Sequence, residues 1–321
     1  MQFTNYLLKF AIFAIKYFSM ISKQVITNAA RKVGFDLVGV ARAEPMTAEY
    51  NYFKEWLLSG YNSTLSYLER NIEKRFDAGL LAEGTRSVII CAVSYLSEYS
   101  RGYDGCSVPK IASYALARDY HLTIREMLNA LAEHLKLECN GLKYRAFTDS
   151  APLAEKTLAV RAGLGWRGRN SLVVNPRLGS MLLLGELLIN EDVDEYDVPM
   201  SGVGCGSCRR CVDACPNGAI LENGTIDTHR CISCRTIERE EEGAKLPLHG
   251  WVFGCDMCQS VCPFNQRAPL HTNILFNNKI EPRNLAAERW LQMTEEEFLA
   301  LAGDTPIMRS GLERIKRNIE Q

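Results

Sequence analysis

Hydrophobic and polar positions follow two alternating rhythms over the first 200 residues. Residues 21–34 repeat at helical spacing and stop at Gly34, and DLVGVA at 36–41 then reads as a strand. Residues 47–59 are helical again, and the β-branched run RSVIICAVSYL at 86–96 predicts a buried strand. A helix follows from about Asp119 to Leu137, with Leu122, Met127, Leu128, Leu131 and Leu135 as its apolar stripe. YRAFTD at 144–149 is strand-like, Pro152 stands where a helix can begin, and Gly163 stops that helix after Ala162. SLVVNP and MLLLGELLIN supply two more strands. The alternation predicts an α/β (α+β) sandwich over residues 20–200.

The rhythm breaks at Gly202. To Pro263 the chain is rich in cysteine, glycine and proline, and such a segment needs cross-links or metal to fold. We therefore expect a second domain at 201–270. A helical segment at 271–321, with helices near 291–302 and 310–320, should pack on both.

Composition narrows the class. With 47% hydrophobic and 23% charged residues over 321 positions, the chain has the make-up of a globular protein rather than a disordered one. A net charge of −1 provides no global basic field, so any nucleic-acid surface must be local. Residues 1–19 are apolar and aromatic, but Lys9 and Lys16 interrupt a run far short of the ~20 residues a membrane span requires. No cleavage site of signal-peptide type follows. Met20 reads as the functional start, residues 1–19 as a dispensable extension, and the location as cytoplasmic without membrane attachment.

Cysteine carries the chemistry. Nine of twelve lie between Cys205 and Cys262, and in a cytoplasmic protein such density points to metal rather than disulfides. Cys205, Cys208, Cys211 and Cys215-Pro216 spell C-x2-C-x2-C-x3-C-P, in which the fourth cysteine serves the other of two [4Fe–4S] clusters. A second motif, Cys255, Cys258 and Cys262-Pro263, has Val252 in its first slot and lacks one ligand. Crossed over, one cluster takes Cys205, Cys208, Cys211 and Cys262; the other takes Cys215, Cys255, Cys258 and one of Cys231 or Cys234. Two zinc sites would explain the count but not the paired Cys-Pro endings. Two clusters relay electrons one at a time, so the first domain should hold the substrate, a second cofactor, or both.

That domain has one stretch of marked bias. Between Lys156 and Gly185 stand Lys156, Arg161, Arg167, Arg169 and Arg177 and no acidic residue, which suits an anionic, phosphate-bearing partner. Glycines 163, 165 and 168 would let backbone approach such a ligand, though the dinucleotide fingerprint is not met. Asp149, at the end of a strand, is either a helix N-cap or a proton donor whose pKa partial burial raises. Asp119-Tyr120-His121 begins the histidine-ligating corrinoid motif but has Ile124 in place of its glycine. His121 is thus expected at a helix surface or core edge.

The segment TDSAPLAEKTLAVRAGLGWRGRNSLVVNPRLGS, followed by CGSCRRCVDACPNGAI, RCISCRTIE and GCDMCQSVCPFN, resembles the epoxyqueuosine reductase family. SYALARDYH at 113–121 and EKR at 73–75 match it too, so the resemblance runs from about residue 20 to 320. It implies a nitroreductase-like, cobalamin-binding α/β sandwich joined to a bacterial-ferredoxin-like domain with two [4Fe–4S] clusters. It also implies a monomeric oxidoreductase that takes electrons from an external donor and reduces epoxyqueuosine, at the anticodon wobble position of tRNA, to queuosine. By position, Asp149 resembles the proton donor, and Arg75, Arg169, Asn170, Ser180 and Ser233 resemble cobalamin contacts. Cys231 matches the family's cluster ligand, which leaves Cys234 spare. Longer members carry a C-terminal helical repeat module that this sequence does not include. The rival readings are a reductive dehalogenase-like corrinoid enzyme and a non-enzymatic two-cluster electron carrier.

Overall fold

Two antiparallel strands that no other element separates from water would be marginal, so the long apolar runs are paired in the centre of one sheet. The computed structural model describes residues 20–103, 107–238 and 246–321; the extension at 1–19 and Cys106 lie outside them. Helix α1 (Lys23–Val33) is capped by the Ser22 side chain and ends at Gly34, whose φ of 105° lets its N–H reach the carbonyls of Ala30 and Arg31. Strand β1 (Leu37–Arg42) and helix α2 (Thr47–Leu58) follow. Strand β2 (Ser87–Ser94) is buried at every position. Next come β3 (Lys110–Ile111), helix α3 (Tyr120–Glu138), β4 (Tyr144–Phe147), helix α4 (Glu155–Arg161), the hairpin of β5 (Trp166–Arg167) with β6 (Val173–Val174), and β7 (Leu182–Ile189).

The main sheet has the order β1-β2-β7-β4, and every pairing is antiparallel. Of the two class labels the sequence allowed, α+β is the apt one. Helices α1 and α3 cover one face and α4 covers the other, so β2 and β7 are buried on both sides. On α3 the apolar stripe consists of Ile124, Met127, Leu128, Leu131 and Leu135. Leu122 was expected in it but faces solvent, because the buried turn is made by Thr123 and Ile124. Gly185 on β7 admits α3 at close range: a Cβ there would lie 2.5 Å from Ile124 Cγ2 and 3.0 Å from Leu128 Cδ1.

Among its described residues the cysteine-rich segment holds only short elements, including helix α5 (Ile232–Ile237) and strand β8 (Trp251–Phe253). Strand β8 pairs in parallel with β3, reaching across the position where we drew the domain boundary. Helices α6 (Glu295–Ala302) and α7 (Leu312–Ile319) close a second core in which Trp290, Phe298 and Ile315 pack with Ile111, Leu116 and Phe253. Among the described residues no helix is long and apolar enough to cross a membrane.

Candidate active site at the cluster-facing cavity

A cavity of about 480 Å³ opens where the end of β4, the start of α4 and the start of β7 meet the cysteine-rich segment. Asp149, Glu155, Lys156, Asn170 and Ser233 line it, with Tyr95, Tyr114, Tyr120 and Leu182–Leu184 as its apolar wall. Cys215, Cys231, Cys255 and Cys258 line the same cavity.

Asp149 sits in a left-handed turn (φ 50°) directly after β4. It is not an N-cap, because α4 starts at Glu155 and not near Pro152. Its Oδ2 accepts a 2.6 Å hydrogen bond from the Tyr120 hydroxyl and stands 3.7 Å from His121 Nε2. His121 Nδ1 lies 2.7 Å from Asp119 Oδ1, and Asp119 caps α3 through the His121 backbone N–H. The result is a row of three groups, Asp119, His121 and Asp149, with Tyr120 alongside. His121 lies at the half-exposed edge of α3, as expected, and there it stands between two carboxylates.

The row sets its own charges. The hydrogen bond to Asp119 first, and the Asp149 carboxylate 3.7 Å away second, raise the His121 imidazole to about 9 against the opposing effect of burial, so it is protonated at neutral pH. Burial pushes the Asp149 carboxyl up, but the nearby His121 cation, the hydrogen bond from Tyr120 and the charge of Lys156 outweigh it and hold the group below the usual aspartate value. The raised value expected from the sequence is therefore corrected: a partly buried acid rises only where no cation and donor surround it. Burial and then the Asp149 charge push the Tyr120 hydroxyl far up, which keeps it a donor.

The thiols form two neighbourhoods. Cys211 feels the charge of Cys205 and Cys262; Cys255 and Cys258 feel that of Cys231, Cys255 also that of Cys215, and Cys258 feels Cys211 where the two neighbourhoods adjoin. Burial raises Cys231 against backbone hydrogen bonds from Cys234 and Ser233, burial and then the neighbouring thiols raise Cys258, and burial takes Cys255 to about 12, so metal must displace protons to bind there. Among the described residues no three His, Cys, Asp or Glu side chains converge as on a single ion. Cys234 is buried on α5 and does not line the cavity. Cys91 is fully buried in β2, and Cys139 ends α3.

Comparison with known proteins places this arrangement. Residues 204–265 match the family described as a 4Fe-4S double cluster binding domain, and residues 75–150 match the one described as epoxyqueuosine reductase QueG, DUF1730. Over 299 residues the chain is 38% identical to an epoxyqueuosine reductase of Cyclobacterium marinum, spanning 92% of this chain and 95% of that one. The chain belongs to the epoxyqueuosine reductase family. A relative in Pseudomonas aeruginosa is 37% identical, over 92% of this chain and 83% of its own. The structure of epoxyqueuosine reductase from Streptococcus thermophilus superposes with a TM-score of 0.82 at 27% identity, covering 92% of this chain and 79% of that one. Another, holding an epoxyqueuosine-modified tRNA stem loop, gives 0.81 at 27% identity, with 92% and 79% covered. This family membership carries two iron–sulfur clusters in the matched double-cluster segment.

The residues expected to contact cobalamin fall in different places. Asn170 and Ser233 line the cavity. Arg75 lies close enough to Asp149 and Glu155 to feel their charge, and its Nε is buried without a partner. Arg169 lines an adjoining cleft of about 430 Å³ with Tyr52, Arg167 and Cys205, where it donates to the carbonyls of Gly206 and Glu222. Ser180 lies behind the wall: its hydroxyl bonds Gln259 at 2.9 Å, and Gln259 lines the cavity in its stead.

The basic stretch is likewise divided. Lys156 projects into the cavity, Arg167 and Arg169 occupy the cleft, and Arg161 is taken by Glu49 at 3.2 Å. Gly165 serves packing rather than a ligand, since a Cβ there would sit 2.3 Å from the Val174 carbonyl. Sequence reasoning missed Tyr120, Glu155 and Glu186. The one available signal was a single acid inside the apolar run MLLLGELLI.

Proposed function

We propose that this chain reduces the epoxide of epoxyqueuosine, in the anticodon loop of tRNA, to the alkene of queuosine. One observation carries the reading: a carboxylate held by a tyrosine and a cationic histidine opens onto the same cavity as four cluster-type thiols. Electrons and protons can therefore meet at one place. Reduction of an epoxide to an alkene and water takes two of each.

The residues present fit a corrinoid. The tyrosines and Leu182–Leu184 provide an apolar face, Asn170 and Ser233 a polar rim, and the unpartnered Arg75 Nε a buried donor beside it. Bound there, cobalamin would supply a low-valent, nucleophilic metal centre, and two [4Fe–4S] clusters would supply its electrons one at a time. Cys205, Cys208, Cys211 and Cys262 would ligate one cluster, and Cys215, Cys231, Cys255 and Cys258 the other. Cys231 is favoured over Cys234 because it faces the cavity with the remaining three.

The chain's own residues manage the protons. Asp149 is a carboxylate at rest and His121 a cation, so Nε2 passes its proton to Asp149 as the oxygen leaves, and Asp149 delivers it to that oxygen. Asp119 fixes the ring by holding Nδ1. Closure over a bound nucleoside has to shorten the 3.7 Å separation by nearly an ångström, as in other acid–base sites that tighten only when loaded. The base must leave its stack to enter, which suits a single-stranded loop. In this reading residues 20–200 hold the substrate, residues 201–270 hold the clusters, and 271–321 brace both. The enzyme works as a monomer in the cytoplasm on an external electron donor.

The test is nucleoside mass spectrometry of epoxyqueuosine-containing tRNA after anaerobic incubation with reconstituted protein, cobalamin and a reductant. We expect queuosine to appear. Persistence of the epoxide with both clusters and cobalamin bound would overturn the proposal.

A further inference from the structure

Alternation along β7 puts Glu186 on the same face as Leu184 and Leu188, against α4, where an apolar residue belongs. It pairs with Ile90 of β2 on one side and Phe147 of β4 on the other and has no exposed surface. Among the described residues neither of its carboxyl oxygens meets a hydrogen-bond donor. A bare carboxylate in such a place costs several kcal/mol, so the group must be neutral or share its charge.

The group within its reach is another acid. Glu155 stands at the first turn of α4, the helix packed on this face of β7, and each of the two carboxyls feels the other. Two carboxylates are both acceptors, so they bond only through a proton that one of them carries. Glu155 also faces the other way: it lines the cavity, and its Oε1 accepts the backbone N–H of Asp149.

We infer that Glu186 and Glu155 form a shared-proton acid pair that holds the Asp149 turn in place and resupplies Asp149 with protons during turnover. This rests on the reduction proposed above, which consumes two protons while His121 stores one. In its two-proton form the pair is neutral. It gives one proton to the Asp149 carboxylate and becomes a monoanion in which the remaining proton is shared; solvent entering the cavity restores it, and no electron moves.

The surroundings agree with such a titration. Burial first and the Asp149 charge second push Glu155 to about 7, and burial with the charge of Glu155 raises Glu186 well above the carboxylate range. The groups facing the pair are Asp149 after β4, Lys156 on α4, Arg75 from the segment before β2, Tyr120 on α3 and the buried Cys91 thiol on β2. Lys156 and Arg75 favour the monoanion, and Asp149 opposes it.

Glu186→Gln retains size and can still donate to Glu155, but it has no proton to give. With the full reconstituted chain, infrared difference spectra should show a buried protonated carboxyl in the wild type that is missing in the variant. Wild-type turnover should fall in a first step as pH rises through about 7. The variant should turn over roughly tenfold more slowly or worse at neutral pH, lack that step, and keep its KM for tRNA, a smaller loss than the ~10²–10⁴ of a directly acting acid. Wild-type rate and pH profile in the variant, or an unchanged carboxyl band, would overturn the inference. If Glu186→Gln does not fold, Glu155→Gln takes its place with the same readouts. A wild type that shows the band but never turns over overturns the proposed function and the supply role together; one that turns over without the band overturns the pair alone.

Discussion

His121→Gln tests the charge row most directly. An imidazole moved from 6.5 to about 9 gains roughly 3.4 kcal/mol of interaction favouring its protonated form, at 1.36 kcal/mol per pH unit. Because 55% of the Asp149 side chain is open to solvent, screening reduces this to about 2 kcal/mol. The folded value lies above the unfolded one, so the stabilisation is complete below pH 6.5, fades as pH rises, and is gone above about 9. Glutamine keeps a donor but not the charge. At pH 6 the variant's thermal midpoint should fall by a few degrees, and the gap should close by about pH 9. Turnover should lose its second alkaline step, the one centred near 9, while the earlier step near 7 persists. Scanning calorimetry and a pH–rate profile on the reconstituted chain give both readouts. A midpoint difference that stays constant with pH would refute the reasoning, since it would mean that His121 contributes packing and not charge.

Asp149→Asn should retain iron and bound cobalamin but lose turnover by about 10²–10⁴, as measured by nucleoside mass spectrometry beside iron and cobalt analysis. Cys231→Ala should leave about half the iron and the electron paramagnetic resonance signal of a single reduced cluster, whereas Cys234→Ala should keep both. Gly185→Ala should destabilise by roughly 1–3 kcal/mol in denaturant titration, because its Cβ would lie 2.5 Å from Ile124 and α3 must shift to admit it.

Legibility varied with the kind of signal. Helix α1 was readable to within two residues because Ser22 and Gly34 are local punctuation that acts through the backbone itself. Leu122 misled because helical spacing identifies a stripe but not its edges; the depth of β7 under α3 decides which residue at the margin is covered. For Asp149 the place at the end of a strand was legible, but the direction of its pKa was not. Its cation comes from α3, 28 residues away in sequence, and no local pattern reports a charge that arrives from another element.

Cysteine spacing on short loops is a local, covalent constraint, so the two-cluster chemistry, and with it the family, was legible in the chain before any fold was known. So were most of the helices and strands, whose apolar periods are properties of single segments. Folding was needed to bring four thiols to one cavity with Asp149, to part Arg167 and Arg169 from Lys156, and to set Ser180 behind Gln259. It alone turned Glu186 from a misfit in a strand into the partner of Glu155. Proton chemistry depends on distances of a few ångströms between groups far apart in the chain, and those distances exist only once the sheet and its two layers have closed.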